Sequence, residues 1–417
     1  MTFPLFPGVT DTSPKAFKRG THRLYDPEQT LEKLRPLLPR MGITRVANVT
    51  GLDCIGVHVA QAVRPNSRSL SVAQGKGLTL PAAKASAVME SVENYHAERI
   101  ALPLLFGSEV DLRSAHNLVD TTTISRPKKS AYHPDLSILW VEGYDLIRRE
   151  TVWVPCEAVD TNYTYPQPMG SGCFAATTNG LASGNHLLEA IHHALCEVVE
   201  RDAATVWGLA GREVRNHTCI DLDTVTDEGC RWVLDKFRDA DVLVRAWEVT
   251  SDNGIPAFMC KIRDRGVLPA GPSDYPGYGC HPTRSIALLR ALTEAAQGRL
   301  TFIAGSRDDA IRSAYEWREG PAAARVPELE TSEGAPLRDF ADGPNWDAAT
   351  SAEDVTWVLE RLVSTGIDRA IIVNLTKPEF NVPVVRAIVP GLELSIVAPG
   401  LYALGPRARR VMKNKKQ

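Results

Sequence analysis

Acidic side chains recur at helical spacing between Asn185 and Arg201, in the segment NHLLEAIHHALCEVVER. The segment contains no Gly or Pro, and Asn185 stands where an N-cap side chain accepts a backbone N–H, so we predict a helix of at least four turns. Apolar residues gather on one face, and Glu189, Glu197 and Glu200 gather on the other. No Lys follows these acids at i+4 to relieve their repulsion. Mg²⁺ takes oxygen ligands of this kind, whereas a helix with solvated carboxylates is the alternative interpretation.

A second acidic cluster lies upstream of this helix. The tripeptide GKG at 75–77 is followed by an alanine-rich run over 81–99, for which we predict a helix. Ser86, Glu90 and Glu93 share one face of this helix, because they are four and three residues apart. The GKG tripeptide alone is more typical of an ordinary turn, since it lacks the spacing of a P-loop. Together, the two helices could bring carboxylates to one cation.

Downstream, Arg290, Glu294 and Gln297 recur at the same helical spacings. The three motifs, in this order and with these spacings, resemble the YcaO family, and the resemblance runs from about Arg23 to near Arg410. YcaO proteins bind ATP and Mg²⁺ in a fold unrelated to P-loop proteins and activate backbone amides of peptides. The resemblance therefore implies an α+β fold with antiparallel sheets and helices around one ATP site.

The resemblance also implies roles for individual residues. The expected nucleotide-binding residues are Arg23, Thr30, Lys76, Ser86, Asn185, Glu189, Arg201, Arg290 and Glu294. The expected magnesium ligands are Glu90, Glu93, Glu197 and Glu200. Arg201 and Lys76 are the cations available for phosphate charge that develops in the reaction, with Arg201 ranked first because Lys76 could instead close a turn. Arg290 and Glu294 could alternatively form only an i,i+4 ion pair, and Arg23 and Thr30 could be a surface charge and a helix-start hydroxyl.

The chemistry of the product is the less determined part. In YcaO-like reactions a sulfur nucleophile gives a thioamide, a neighbouring Cys, Ser or Thr gives an azoline, and an amine gives an amidine. Azoline-forming members often end in a Pro-x-Pro-x-Pro tail, whereas this chain ends VMKNKKQ. The segments PGLE at 390–393 and GPRA at 405–408 resemble YcaO proteins that work with a TfuA partner in thioamide formation. We therefore expect a thioamide-forming enzyme with a TfuA-like sulfur-delivery partner, with an azoline-forming cyclodehydratase or a non-catalytic nucleotide-binding adaptor as alternatives.

Composition and charge exclude several other classes. The chain has 417 residues, 44% hydrophobic and 23% charged, with a net charge of −3, which is typical of a globular protein and gives no reason to expect DNA binding. No apolar run approaches the roughly 18 residues of a membrane span, and the N-terminus lacks the pattern of a signal peptide, so we expect a cytoplasmic protein. The basic stretch over 407–416 is interpreted as a solvated, frayed tail, with a contact to RNA or an acidic partner as the alternative. A homodimer is expected by resemblance only.

Two further features concern local chemistry. The eight cysteines include no C-x-x-C pair, which argues against structural zinc and a disulfide framework. The segment GSGCFAATTNGLASG at 170–184 is rich in small residues, and we expect its backbone N–H groups to approach phosphate and to lead the ligand to the following helix. A tightly packed turn without a ligand is the alternative.

The remaining elements complete a single domain over 1–417. We divide it into an N-terminal part at 1–70, the ATP-binding motifs at 71–310, a surface loop at 320–345 and a C-terminal part at 346–417. A helix begins at Asp26-Pro27, and antiparallel strands between 43 and 74 lead into the GKG turn. Further strands are predicted at 136–145, 151–159, 242–249, 256–262, 370–375 and 382–388, and helices after Pro282 and at 352–365.

Overall fold

The computed structural model describes residues 5–264, 274–309, 337–394 and 401–415. Helices and antiparallel sheets alternate along these ranges, in agreement with the predicted α+β class. The helices are α1 (Pro27–Leu34), α2 (Leu80–Ala97), α3 (Glu109–Leu112), α4 (Leu187–Leu209), α5 (Arg212–Asn216), α6 (Glu228–Asp239), α7 (Arg284–Ala304), α8 (Ser351–Ser364) and α9 (Pro406–Asn414). None of these helices is long and apolar enough to cross a membrane.

The strands form three sheets. They are β1 (Arg45–Asn48), β2 (His58–Val63), β3 (Val72–Gly77), β4 (Leu104–Gly107), β5 (Ile138–Asp145), β6 (Glu150–Pro155), β7 (Leu181–Ser183), β8 (Val242–Glu248), β9 (Ala257–Asp264), β10 (Tyr275–Cys280), β11 (Ile371–Asn374) and β12 (Val384–Ile388). One sheet has the order β1-β2-β3, a second β10-β9-β8, and the largest β4-β5-β11-β12-β7 with β6 paired to β5. Every pairing between these strands is antiparallel.

The two small sheets belong to units of the same plan. In each unit three antiparallel strands are followed by a long helix that packs on the last strand, α2 on β3 and α7 on β10. A Cβ atom at Gly75 would lie 2.2 Å from the carbonyl oxygen of Ala83, and one at Gly277 would lie 2.2 Å from the carbonyl oxygen of Ala291. Both distances are far below van der Waals contact, so the strands approach the helix backbones closely only because these positions are glycine.

This close packing corrects the prediction for GKG. The tripeptide lies within strand β3, paired with β2 from Val72 to Gly77, and not in a turn. Consequently the strands predicted between 43 and 74 are a three-stranded sheet whose last strand carries Lys76. Gly75 and Gly77, which suggested a turn, instead allow α2 to pack closely against β3.

Helix α4 lies at the centre of the molecule. It packs against β7, β12 and α8, and also contacts β9 and β10 of the second small sheet. Strand β7 ends at Ser183, so only three residues separate the largest sheet from the first turn of α4. The apolar face includes Leu188, Ile191, Leu195 and Val199, all buried. These residues belong to one hydrophobic cluster, which they share with residues of β12 and α8, and the acidic residues lie on the opposite face of α4.

The N-terminus of α4 differs from the prediction. The N-cap residue is His186, whose Nδ1 accepts a hydrogen bond from the Leu188 N–H at 3.2 Å. Asn185 lies one residue earlier, where its backbone N–H donates to Glu189 Oε1 at 3.1 Å and its side-chain oxygen accepts from Thr30 Oγ1 at 3.1 Å. The Asn185 side chain is thus used for a long-range contact rather than for capping.

Two segments predicted as solvated are each anchored to the rest of the protein by a few residues, while Arg409, Arg410, Lys413 and Lys415 of the basic tail are exposed as predicted. The basic tail forms α9, and Arg407 is buried with its Nε 2.9 Å from Asp202 Oδ1 and its guanidinium paired with Asp252. The first part of the predicted surface loop, 320–336, lies outside the described residues. In the remainder, the Arg338 N–H donates to the Cys219 carbonyl, and Phe340 packs against the second small sheet's core. Charge composition alone did not reveal these partners, because they lie far away in sequence.

Candidate functional site

Carboxylates from α2 and α4 come together near the end of β7. Glu93 Oε1 accepts hydrogen bonds from the Ser183 N–H at 2.8 Å and the Ser183 hydroxyl at 2.7 Å, so α2 is tied to the last residue of β7, which lies three residues before α4. Glu90 Oε2 accepts from the Gln74 N–H on β3 at 3.3 Å. Glu90 and Glu197 are both close enough to Glu93 to raise its pKa. The two acidic clusters predicted from sequence therefore form one group.

The protonation of this group shows its need for positive charge. Burial raises the pKa of Glu93 to about 8 and that of Glu197 to about 7, and it also raises the pKa of Glu90 and of Glu200. Neighbouring carboxylates also raise the pKa values of Glu93, Glu197 and Glu200. Such a group binds protons or a cation, and a divalent ion would hold all its members in the charged form.

Arg201 lies beside the α4 acids. Its Nη1 is 3.2 Å from Glu200 Oε1, and its Nη2 is 3.9 Å from Glu197 Oε1. These contacts supply the counter-charge that no Lys provides along the helix, although Glu200 Oε2 remains buried without a hydrogen-bond partner. Glu200 is only 2% exposed, which excludes a solvated acidic face.

Lys76 faces the same region from strand β3. Its Nζ is 2.9 Å from Glu294 Oε2 on α7, and the Tyr278 N–H donates to Glu294 Oε1 at 3.2 Å. Burial opposes ionisation of Glu294, but Lys76 and Arg201 outweigh it and lower its pKa. Glu294 is therefore paired with Lys76 across the two small sheets, not with Arg290 along its own helix.

Arg23 and Arg290 meet at His193. Arg23 Nη2 is 3.1 Å from His193 Nδ1, and Arg290 Nη2 is 3.2 Å from His193 Nε2. Burial and the two guanidinium groups lower the pKa of His193 well below its ordinary value, so the ring is neutral and accepts a hydrogen bond at only one nitrogen. One arginine N–H therefore faces a ring N–H in the free protein. An anion bound beside His193 would accept a hydrogen bond from that arginine N–H.

Glu189 joins the N-terminal segment to α4. Its Oε1 is 3.4 Å from Arg23 Nε, and its Oε2 accepts from the Leu24 N–H at 3.0 Å. Together with the contact between Thr30 and Asn185, these contacts of Glu189 place two of the predicted nucleotide-binding residues, Arg23 and Thr30, beside the start of α4. Ser86 lies half-buried on α2, with its carbonyl carbon 2.7 Å from the Cβ position that Gly75 lacks.

Buried polar atoms without partners indicate that the site suits ATP and Mg²⁺. Such atoms occur in several parts of the protein, and those on α4 and α7 are Glu200 Oε2, Arg290 Nε and Gln297 Oε1. Buried polar atoms are almost always hydrogen-bonded, so three of them on the facing helices α4 and α7 suggest a ligand that completes them. Carboxylates suit Mg²⁺, and the cations Arg23, Lys76, Arg201 and Arg290 suit phosphate oxygens. The residues present therefore fit both groups.

Residues 172–174 of the small-residue segment at 170–184 have a different role from the one predicted. The Gly172, Cys173 and Phe174 N–H groups all donate to the carboxylate of Glu157. These donors are already occupied by an anionic side chain, so they do not lead a phosphate group to α4. The alternative interpretation, a packed turn, describes this part of the segment.

Sequence reasoning missed Arg386 on β12. It is 3% exposed, its Nε and Nη1 have no hydrogen-bond partner, and Glu197 is its main favourable charge contact. A signal was present, because Arg386 is the one charged residue in the run VPVVRAIVP of a buried strand. All eight cysteines are free, in line with the prediction that no disulfide framework exists.

Comparisons with known proteins agree with this geometry. Residues 74–393 match the family described as YcaO cyclodehydratase, ATP- and Mg²⁺-binding. An uncharacterised protein from the tfuA 3′ region of Rhizobium leguminosarum bv. trifolii is 38% identical over 400 residues, covering 93% of this chain and 92% of that protein. An uncharacterised protein of Methanothermobacter thermautotrophicus is 34% identical over 383 residues, covering 89% and 95%.

A solved structure has the same fold. YcaO from Methanopyrus kandleri, bound with AMPPCP and Mg²⁺, superposes with a TM-score of 0.72 at 23% identity, covering 94% of this chain and 98% of that one. The α+β fold and the resemblance inferred from the three motifs are thus confirmed. The chain belongs to the YcaO family of ATP- and Mg²⁺-dependent enzymes that modify peptide backbones.

Proposed function

We propose that this enzyme replaces the oxygen of a peptide or protein backbone amide by sulfur, with a TfuA-like protein delivering the sulfur. The ATP-dependent part of this proposal rests on one observation. A group of carboxylates with raised pKa values lies beside four cationic side chains and three buried polar atoms that have no hydrogen-bond partner. The sulfur part is supported by the relative from the tfuA 3′ region. A homodimer remains part of the proposal by resemblance.

The proposed roles follow from charge. Glu90, Glu93, Glu197 and Glu200 would hold Mg²⁺, which would let anionic phosphate approach a group that otherwise repels it. Arg23 and Arg290 would bind phosphate oxygens, because one of them lacks an acceptor at His193. The nucleotide site would also be lined by the residues that connect its segments, namely Thr30, Ser86, Asn185 and Glu189.

Arg201 and Lys76 are proposed to act on the transferred phosphoryl group. Arg201 is already fixed by Glu197 and Glu200, so its guanidinium needs little ordering when charge develops. Lys76 is held in the same way by Glu294, with its Nζ 2.9 Å from Glu294 Oε2. Both cations are therefore positioned before a ligand binds, and the ranking of Arg201 ahead of Lys76 stays a prediction.

The reaction overcomes the poor leaving ability of an amide oxygen. Hydrosulfide, or a sulfur carrier's equivalent, adds to the carbonyl carbon, and the carbonyl electron pair moves to oxygen. That oxygen takes the terminal phosphoryl group of ATP, with ADP as the second product. The C–O bond then breaks, phosphate leaves with the former amide oxygen, and a proton goes to phosphate as the thioamide forms.

Cyclodehydration is the second candidate, favoured by the description of the matched family. The same phosphorylation would then follow attack by a Cys, Ser or Thr side chain of the substrate, and an azoline would result. The adaptor alternative is less well supported, because a protein without turnover has no need for an unrelieved group of buried carboxylates.

Product mass distinguishes these reactions. The enzyme and a TfuA-like protein are incubated with ATP, Mg²⁺, sulfide and total protein from cells lacking this enzyme, and digested products are compared by mass spectrometry. We expect peptides heavier by the difference between sulfur and oxygen, only when ATP and sulfide are present, and none with Glu200→Gln. Loss of one water at Cys, Ser or Thr would identify the azoline reaction instead. The absence of any ATP-dependent change would favour the adaptor.

A further inference from the structure

Arg386 is a buried cation whose polar atoms are mostly unused. Its Nη2 is 3.5 Å from Thr177 Oγ1, and its Nε and Nη1 have no hydrogen-bond partner. Among the described residues, no carboxylate oxygen lies within ion-pair distance of it. A buried guanidinium without a partner costs free energy, so the fold keeps this residue at the expense of stability.

Arg386 lines a small cavity together with Arg201. The cavity, of about 70 Å³, is otherwise surrounded mainly by short or apolar side chains such as Ala158, Ala175 and Val198. Its one carboxylate, Glu393, already accepts the Gly405 and Ala408 N–H groups at 2.8 Å each. Both arginines therefore contribute positive charge to the cavity. No carboxylate among the described residues forms an ion pair with Arg386.

A larger groove of about 660 Å³ adjoins this cavity. The groove is lined by Cys156, Glu157 and Phe174, and the cavity by their chain neighbours Ala158 and Ala175. The segments at 156–158 and 174–175 therefore separate the groove from the cavity. Tyr163, another groove residue, is close enough to Arg386 for each to influence the charge of the other. Arg386 is thus located between an open groove and the acidic group that contains Glu197.

This location suits a group that becomes negative during the reaction. A triphosphate would be held by Arg23, Lys76 and Arg290, none of which lines the cavity that contains Arg386. The groove volume of about 660 Å³ leaves room for part of a peptide, and an amide oxygen reaching inward from it would meet the unused N–H donors of Arg386. Donors placed where negative charge develops stabilise the transition state more than the ground state.

We infer that Arg386 is a catalytic residue that donates hydrogen bonds to the carbonyl oxygen of the substrate amide, in the cavity it shares with Arg201. The inference rests on the proposed function and deepens it. When the nucleophile adds to the carbonyl carbon, the electron pair of the carbonyl moves to oxygen, and the Arg386 N–H groups hold that oxygen. Arg386 keeps its proton throughout, so the step consumes no further reactant.

The test uses methylphosphonate, a tetrahedral anion with one carbon substituent, as a probe of this cavity. Its binding is measured by calorimetry on protein saturated with AMPPCP and Mg²⁺, so that the nucleotide site is filled. We expect Arg386→Met to weaken methylphosphonate binding by about 10- to 100-fold, the usual effect of a lost charge-assisted hydrogen bond, without changing AMPPCP affinity. Arg386→Lys keeps the charge and should retain part of the binding.

Thermal unfolding separates this role from a structural one. Because no described carboxylate forms an ion pair with Arg386, Arg386→Met should leave the unfolding midpoint unchanged or raise it. The matched control is Arg64→Met, which removes a guanidinium only 2% exposed but paired with Glu98 and should lower the midpoint. Unchanged methylphosphonate binding in Arg386→Met, no binding in the wild type, or a lowered midpoint would overturn the inference. Thioamide production by the wild type would still stand in those cases, so the two proposals fail separately.

Discussion

At the scale of single residues, the site is defined by charges that the free protein does not balance. Glu93 and Glu197 have raised pKa values because they are removed from water and lie near other carboxylates. His193 sits neutral between two arginines, and Arg386 has almost no partner. Residues of both signs are thus concentrated in one region, where ion pairs such as Lys76–Glu294 join only some of them, and this is expected where a charged ligand completes the electrostatics.

The raised pKa values predict how stability depends on pH without metal. The ordinary pKa of both Glu93 and Glu197 is 4.5, and the folded values are about 8 and about 7. Between these limits the folded protein binds more protons than the unfolded chain, so the free energy of unfolding falls as pH rises. We expect the metal-free unfolding midpoint to fall over this window, by about 1–2 °C for each kcal/mol lost in a chain of this size.

The matched variant for this prediction is Glu93→Gln combined with Glu197→Gln, which removes both titrations. Its midpoint should change less with pH than that of the wild type, and Mg²⁺ with AMPPCP should reduce the fall in the wild type only. A wild-type midpoint that rises over the same pH range would contradict the assignment of raised pKa values.

At the scale of elements, two units of three strands and a helix bring their last strands to the site. Gly75 and Gly277 let β3 and β10 contact helix backbones, and this places Lys76 and Tyr278 beside Glu294. Both helices carry alanines four residues apart at the contact, which is the sequence signal for such packing. The GKG prediction was wrong because glycines that permit close approach and glycines that form turns look alike locally.

These glycines should be intolerant of a methyl group. The Cβ of Gly75→Ala would lie 2.1 Å from the Ala87 nitrogen, and that of Gly277→Ala 2.3 Å from the Ala295 nitrogen. Because the obstructing atoms are backbone, we expect each variant to lose about 1–3 kcal/mol or more of unfolding free energy. Both should also bind AMPPCP more weakly, since Lys76 and Glu294 would be displaced. Denaturant unfolding and calorimetry measure the two effects.

Gly51→Ala is the control for these substitutions. A Cβ at Gly51 meets nothing within 4 Å, so its stability and AMPPCP binding should stay close to the wild type. If Gly75→Ala and Gly277→Ala behaved like Gly51→Ala, the close strand–helix approach would not be required for the site.

At the scale of the whole molecule, sequence motifs indicated which helices carry the candidate site but not how its residues pair across the fold. The periodic carboxylates on α2 and α4 and the polar face of α7 were visible because helical spacing is a local property. The pairing of Lys76 with Glu294, 218 residues away, is not local and could not be derived from one sequence. The same applies to Arg386, whose neighbour Thr177 comes from a distant segment, and to Arg407, which distant acids bury although the other described basic residues of the tail are exposed as predicted.

The most direct test of the central claim, that the buried carboxylates hold Mg²⁺ for ATP, is calorimetric binding of AMPPCP with and without Mg²⁺. We expect the wild type to require Mg²⁺ for tight binding, and Glu200→Gln to bind roughly 100-fold more weakly or not at all. Glu142→Gln, which removes an exposed carboxylate on β5, should bind like the wild type. Equal binding by the wild type and Glu200→Gln, or binding that does not depend on Mg²⁺, would contradict the account.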